Sequence, residues 1–374
     1  MFRTTILAIL LGFPLFTFGQ QLELLTPLNE SIQESSGLIF IEDRLVTHND
    51  SGGAPELYEV DTLTGEIVRI VQVENANNKD WEDICHDETY IYIGDFGNNL
   101  NIRTDLKIYR ISKEDYLNLD TVAADFITFN YQDQTDFTPA NMNAEYDAEA
   151  MISLGDSLYI FTKNWADNNT SVYPIPKSTF QNDTGVHELI KLDTWEAQGL
   201  ITGADICTTT GNILLSGYTT MHPFVVSISN YEHNAFFQGQ VERITLQAPS
   251  GYSHQIEGVA AISPDLFYIS AEKLAISNLP TLHAGFYKLD FNTTTITEIE
   301  NNFPPIYPNP TADYFHISSP EQTTIFIYNV LGQITHTDTS PKIDIRNFPI
   351  DSYIIKIYDN KHQLLSTQKL IIQR

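Results

Sequence analysis

Four acidic residues, Glu82, Glu149, Glu257 and Asp95, stand at the ends of short apolar runs, in "WEDICH", "AEAMIS", "IEGVAA" and "IYIGDF". Carboxylates with neither Cys nor clustered His beside them are hard oxygen ligands, suited to calcium or magnesium rather than zinc. Several such groups within about 4–6 Å raise one another's pKa unless a cation neutralises them. Asp50, Asp83, Asn98, Lys163, Asn164 and Glu272 hold related positions and are candidate ligand contacts. Lys163 is the cation of that set, and it could supply the counter-charge from within the protein. His48, beside Asp50 in "THNDSGG", is either a base or a solvated turn residue. Trp81 and Trp165 lie next to acidic or amide residues, where a ring serves either as a stacking platform or as packing. The sequence contains no G-x-S-x-G, H-E-x-x-H, G-x-x-x-x-G-K-[ST] or C-x-x-C, so no catalytic residue is assigned.

The elements that must position these groups form a repeat. "SSGLIF", "WEDICH", "AEAMIS", "GADICT" and "IEGVAA" are registered by Ser36, Glu82, Glu149, Ala204 and Glu257. Each is followed by a second strand-like run and then by a third, in which Tyr58, Tyr109, Tyr173 and Tyr287 recur and Val226 is the exception. Four short strands per unit, repeating at about 40–50 residues plus insertions, predict a β-propeller. Five blades are visible, and a sixth, degenerate one would have to sit after Glu82. "QLELLTPL" (21–28) could close the ring as an outer strand. In such a ring the start of each inner strand and the end of its second strand share one face. The carboxylates named above should therefore gather at one mouth of the channel. Cys85 and Cys207 hold equivalent places in units two and four, which are not neighbours, so they should lie beyond the roughly 7 Å limit for a disulfide.

Charge divides the chain. The formal net charge is −28, all of it carried by the first 304 residues, because the remainder has 6 basic and 6 acidic residues. Such a surface argues against nucleic acid and anionic lipid as partners. The first 19 residues, with Arg3 and then an apolar run from Ile6 to Phe18, read as a secretory signal peptide, and no other segment is apolar enough to span a membrane. The propeller is assigned to 20–300, a proline-marked linker to 301–306, and a small antiparallel, Ig-like sandwich to 307–374.

The last module carries Tyr307-Pro308-Asn309-Pro310-Thr311, Ile327-Tyr328-Asn329-Val330-Leu331-Gly332-Gln333, Ser352-Tyr353-Ile354-Ile355-Lys356-Ile357 and Lys369-Leu370-Ile371-Ile372. With these it resembles the C-terminal sorting domain of the type IX secretion system of Bacteroidetes. The resemblance implies recognition by the outer-membrane translocon, with Tyr307, Pro308, Asn309, Pro310, Gly332 and Lys369 as the motif residues. It further implies a secreted or surface-anchored product. The propeller is similar to uncharacterised exported Bacteroidetes propellers and, faintly, to phytase-like and lactonase-like ones, which often use calcium. Three functions follow as expectations. One is a propeller binding a small molecule, glycan or peptide at an acidic mouth. The others are a calcium-dependent hydrolase of phosphoesters or lactones and a non-catalytic envelope or adhesion component.

Overall fold

Runs of five to eight residues rich in Ile, Val, Tyr and Phe, stopped by Gly, Asn and Asp turns, build strands rather than helices. The computed structural model describes residues 20–140, 143–181, 185–220, 222–247, 255–275, 281–292, 306–317, 323–329, 334–358 and 364–373. Residues 1–19, read above as a signal peptide, most of the segment 301–306 read as a linker, and Gly332 lie outside them. The chain divides into two units, Met1–Asn292 and Thr293–Arg374.

The first unit is a five-bladed β-propeller. Its inner strands are Ser35–Ile41, Trp81–His86, Ala148–Leu154, Leu200–Ile206 and Ile256–Ser263. Each lies against the inner strand of the next blade, and that of blade five lies against that of blade one. The ring therefore closes at five, and the described residues hold no sixth blade. From every inner strand the sheet runs outward through three more antiparallel strands. The fourth strand of blade five comes from the other end of the unit, since Glu23–Pro27 pairs antiparallel with Gly285–Asp290. Three blades carry a fifth, parallel strand: Thr121–Ala123 on blade one, Val186–Leu189 on blade two and Gln20–Gln21 on blade four.

Five apolar clusters fill the gaps between neighbouring blades. The recurring third-strand Tyr58, Tyr109, Tyr173 and Tyr287 are all buried there, so the periodicity marks inter-blade packing. Polar stitches run beside the clusters at the channel. Ser36 Oγ donates to the Glu82 carbonyl at 2.6 Å and Thr202 Oγ1 to the Ile256 carbonyl at 2.6 Å, while Ser270 Oγ reaches the Ser36 carbonyl at 3.1 Å. Cys85 and Cys207 are both free and buried.

The second unit sets the pair Tyr314–His316 and Lys342–Asp344 against a four-stranded sheet of Ile334–Asp338, Thr324–Tyr328, Ser352–Tyr358 and Leu364–Ile371. Phe315, Ile325, Ile343, Ile355 and Leu370 share the apolar layer between them.

Candidate functional site

Antiparallel pairing fixes which residues meet at the mouth. Trp81 pairs with Asp95, Ala148 with Thr162, Ile256 with Ala271 and Ser35 with Asn49. Glu82, Glu149 and Glu257 thus open their inner strands beside the residues that close the second strands. Alternate residues of a strand share a face, and blades two and three use this with the same spacing, Asp80-Trp81-Glu82 and Asp147-Ala148-Glu149.

One carboxylate oxygen from each of Asp50, Asp80 and Glu82 lies within 4.8 Å of the others, and the same holds for Glu82, Asp147 and Glu149. Glu82 belongs to both groups. The chain comes close to it on one side, where a Cβ on Gly97 would collide with Glu82 Oε1 and the Asp80 carboxyl; only glycine leaves room.

The protein neutralises part of this charge itself. Lys163 Nζ donates to both Glu149 oxygens at 2.6 Å and is itself buried. Arg103 Nη2 donates to Asp95 Oδ1 at 2.8 Å, and its Nη1 lies 3.9 Å from Asp80 Oδ2. Asp147 accepts the Asn98 backbone N–H at 2.6 Å and the Trp165 Nε1–H at 2.9 Å. Glu82 receives nothing comparable. Its side chain is in a residue only 3% exposed, and among the described residues no donor bonds its carboxylate. Glu257, equally buried, has only the field of Lys163.

Asp50, Asp80, Glu82, Asp95, Asp147, Glu149 and Glu257 are therefore set against Lys163 and Arg103, with Lys79 adding to the pull on Asp80 and Lys107 to that on Asp95. Burial is the largest cause at each acid, and the neighbouring carboxylates add to it. Asp50 is pushed up to about 8, by burial first and then by Asp80 and Glu272. Asp80 is raised to about 6, by burial first, against the opposing pull of Arg103. Glu82, Glu149 and Glu257 are held well above the carboxylate range, chiefly by burial.

The other residues singled out from the sequence take different positions. Asp83 lies in the channel wall, where its oxygens accept the N–H groups of Ile84 at 2.9 Å, Met151 at 2.7 Å and Ala204 at 3.2 Å. It ties blade two to blades three and four. Asn98 holds the Arg103 N–H at 2.9 Å, and Asn164 Oδ1 caps the turn at Ala166 N at 2.9 Å. Asp87, from the same acidic stretch as Glu82, sits at the far hairpin on Lys177 Nζ at 2.8 Å, and is drawn down to about 2. His48 is buried edge-on against Trp81, their ring centroids 5.6 Å apart, and burial holds it down at about 4. Trp81 is core. Asp147 was detectable from the repeated D-x-E spacing. Arg103, in the connection that follows the second strand of blade two, has no counterpart in the other blades and left no periodic signal.

In the second unit the motif residues meet across the chain. Asn309 Nδ2 donates to the Lys369 carbonyl at 2.6 Å, and its Oδ1 accepts the Ile371 N–H at 2.9 Å. Tyr307 stacks on His316 at 5.4 Å. The stretch containing Pro308 and Pro310 is thereby joined to the last strand.

Fold and site together define a five-bladed propeller with an excess of buried acid at one mouth, followed by a small sandwich. Residues 305–373 match the family of secretion system C-terminal sorting domains. No curated protein matches the chain. Among solved structures, it is similar to PorZ, a surface component of the type IX secretion system of Porphyromonas gingivalis, at 10% identity and a TM-score of 0.34. That likeness takes in 91% of this chain but only 45% of the length of PorZ. It is also similar to a Streptomyces coelicolor aldose sugar dehydrogenase, at 11% identity and a TM-score of 0.43, over 72% of this chain and 98% of that one. A Xanthomonas citri GH43_1 enzyme gives 11%, 0.40, 71% and 89% in the same order. Among the described residues no helix is long and apolar enough to cross a membrane.

Proposed function

We propose that the protein is an exported, ligand-binding propeller whose acidic mouth holds a divalent cation, calcium in preference to magnesium. Glu82, Asp50 and Asp80 are its ligands, and the ligand docks above it. In this reading residues 1–19 are removed as a leader, 20–300 form the binding domain, 301–306 the linker, and 307–374 engage the type IX translocon. The observation that carries the cation is the Glu82 carboxylate, buried without a donor between two groups of acids. A buried unpaired carboxylate is costly and either takes up a proton or acquires a cation. Glu149 and Asp95, also candidate ligands by sequence, already have Lys163 and Arg103, which leaves Glu82 with Asp50 and Asp80 as the under-neutralised group. Three carboxylates on one side of a calcium ion leave several of its roughly six to eight oxygen positions open toward solvent.

Protons and calcium compete for these oxygens. The folded pKa of Asp50, about 8, and of Asp80, about 6, lie above the ordinary aspartate value of 3.8. Their contribution to stability without a cation is therefore full below about pH 4 and is lost as pH rises through 6 to 8. Calcium affinity should rise over the same window. Calorimetric titration of the EDTA-stripped protein at pH 5 and pH 8 tests this. The expected result is a Kd below about 1 mM at pH 8, weaker binding at pH 5, and a loss of at least about tenfold in Glu82→Gln. No binding below millimolar at pH 8, or unchanged affinity in Glu82→Gln, would refute the site.

A further inference from the structure

Trp165 sits at the mouth, and among the described residues it belongs to none of the apolar clusters, unlike Trp81 and Trp195. Its indole is held instead by polar groups: Nε1 donates to Asp147 Oδ2 at 2.9 Å, and Lys163 Nζ lies 5.1 Å from the ring. Asp147 is in turn one of the acids grouped around Glu82. The half-buried ring is thus linked through Asp147 to Glu82, the residue shared by both acid groups, and is fixed in orientation while contributing to no core. A rigid aromatic surface beside a polar site is suited to stacking the apolar face of a ring-shaped ligand.

Charge narrows the class further. Lys163 and Arg103 are engaged by Glu149 and Asp95, so the remaining acids Asp50, Asp80, Glu82, Asp147 and Glu257 outnumber the two charges of one divalent ion and the field at the mouth stays acidic. A phosphate, sulfate or carboxylate ligand would enter against that field. The open positions of a hard cation require oxygen donors, and the neutral way to supply two at once is a pair of adjacent hydroxyls. We infer that the ligand is an uncharged carbohydrate, bound through a vicinal diol on the cation with a sugar ring against Trp165. This rests on the cation reading above.

The test uses the full secreted chain, calcium-loaded, against an array of neutral mannans, glucans and galactans with their sulfated and phosphorylated counterparts. The expected result is EDTA-sensitive binding to at least one neutral glycan, at least about tenfold tighter than to its anionic counterpart. Trp165→Ala should lose about tenfold in glycan affinity while its calcium affinity stays within about twofold; Trp165→Phe, which keeps a ring, should retain most of the glycan binding. If calcium titrates but no neutral glycan binds, or anionic glycans bind as well, the carbohydrate inference falls and the cation reading stands. Glycan binding indifferent to EDTA or to Trp165→Ala overturns it too. Failure of calcium itself to titrate removes both.

Discussion

Lys163 is the residue on which the mouth depends when no metal is bound. It is buried, its partner Glu149 is buried, and the pair is bidentate at 2.6 Å. Removing one member of a buried pair leaves the other charge uncompensated. Lys163→Met should therefore cost about 3–5 kcal/mol in denaturant unfolding, and the double variant Lys163→Met/Glu149→Gln markedly less. Equal losses in the single and double variants would mean that the pair is not coupled as described. At this scale the sequence was informative wherever a residue kept its place in the repeat. Glu82, Glu149 and Glu257 were legible because each opens an inner strand. Asp83 was misread as a rim group because its neighbours in sequence are rim groups; only the strand register shows it turned to accept Met151 and Ala204 N–H groups. The ion pairs that decide which acids remain free, Lys163 with Glu149 and Arg103 with Asp95, depend on rotamers and a loop path that no periodicity encodes.

The strands were the most legible level. All five inner strands, and the closing role of the segment before them, follow from the alternation of apolar residues and from the recurring Tyr. The parallel fifth strands were not visible, since Thr121–Ala123 and Val186–Leu189 are short segments within insertions that pair with a blade other than the one whose strands flank them. The closing strand carries a stability prediction. Leu22 is 1% exposed and packs with Leu214, Val225 and Leu246 between blades four and five, while Glu23–Pro27 covers the edge of Gly285–Asp290. A chain beginning at Asn29 loses this burial and leaves an unpaired sheet edge. It should unfold at a melting temperature at least about 10 °C lower, or fail to give a cooperative transition by circular dichroism. A melt within a few degrees of the parent would show that the ring does not need its closing strand.

For the whole molecule, the division of charge matches the division of labour. The acidic unit packs five apolar clusters of its own between its blades, and the neutral unit has a separate core around Phe315 and Ile355. Units with separate cores fold separately. Truncation after residue 304 is accordingly expected to leave the propeller folded but retained in the periplasm. Fractionation with immunoblotting checks this; the truncated chain appearing outside the cell in parental amounts would contradict a sorting role for the tail.

The central claim concerns the mouth, and a crystal structure grown in calcium tests it most directly. The expected result is anomalous density between Asp50, Asp80 and Glu82, with carboxylate oxygens at roughly 2.3–2.6 Å and open positions facing Trp165. Calcium bound elsewhere, or those three carboxylates closed on one another with no ion among them, would contradict it.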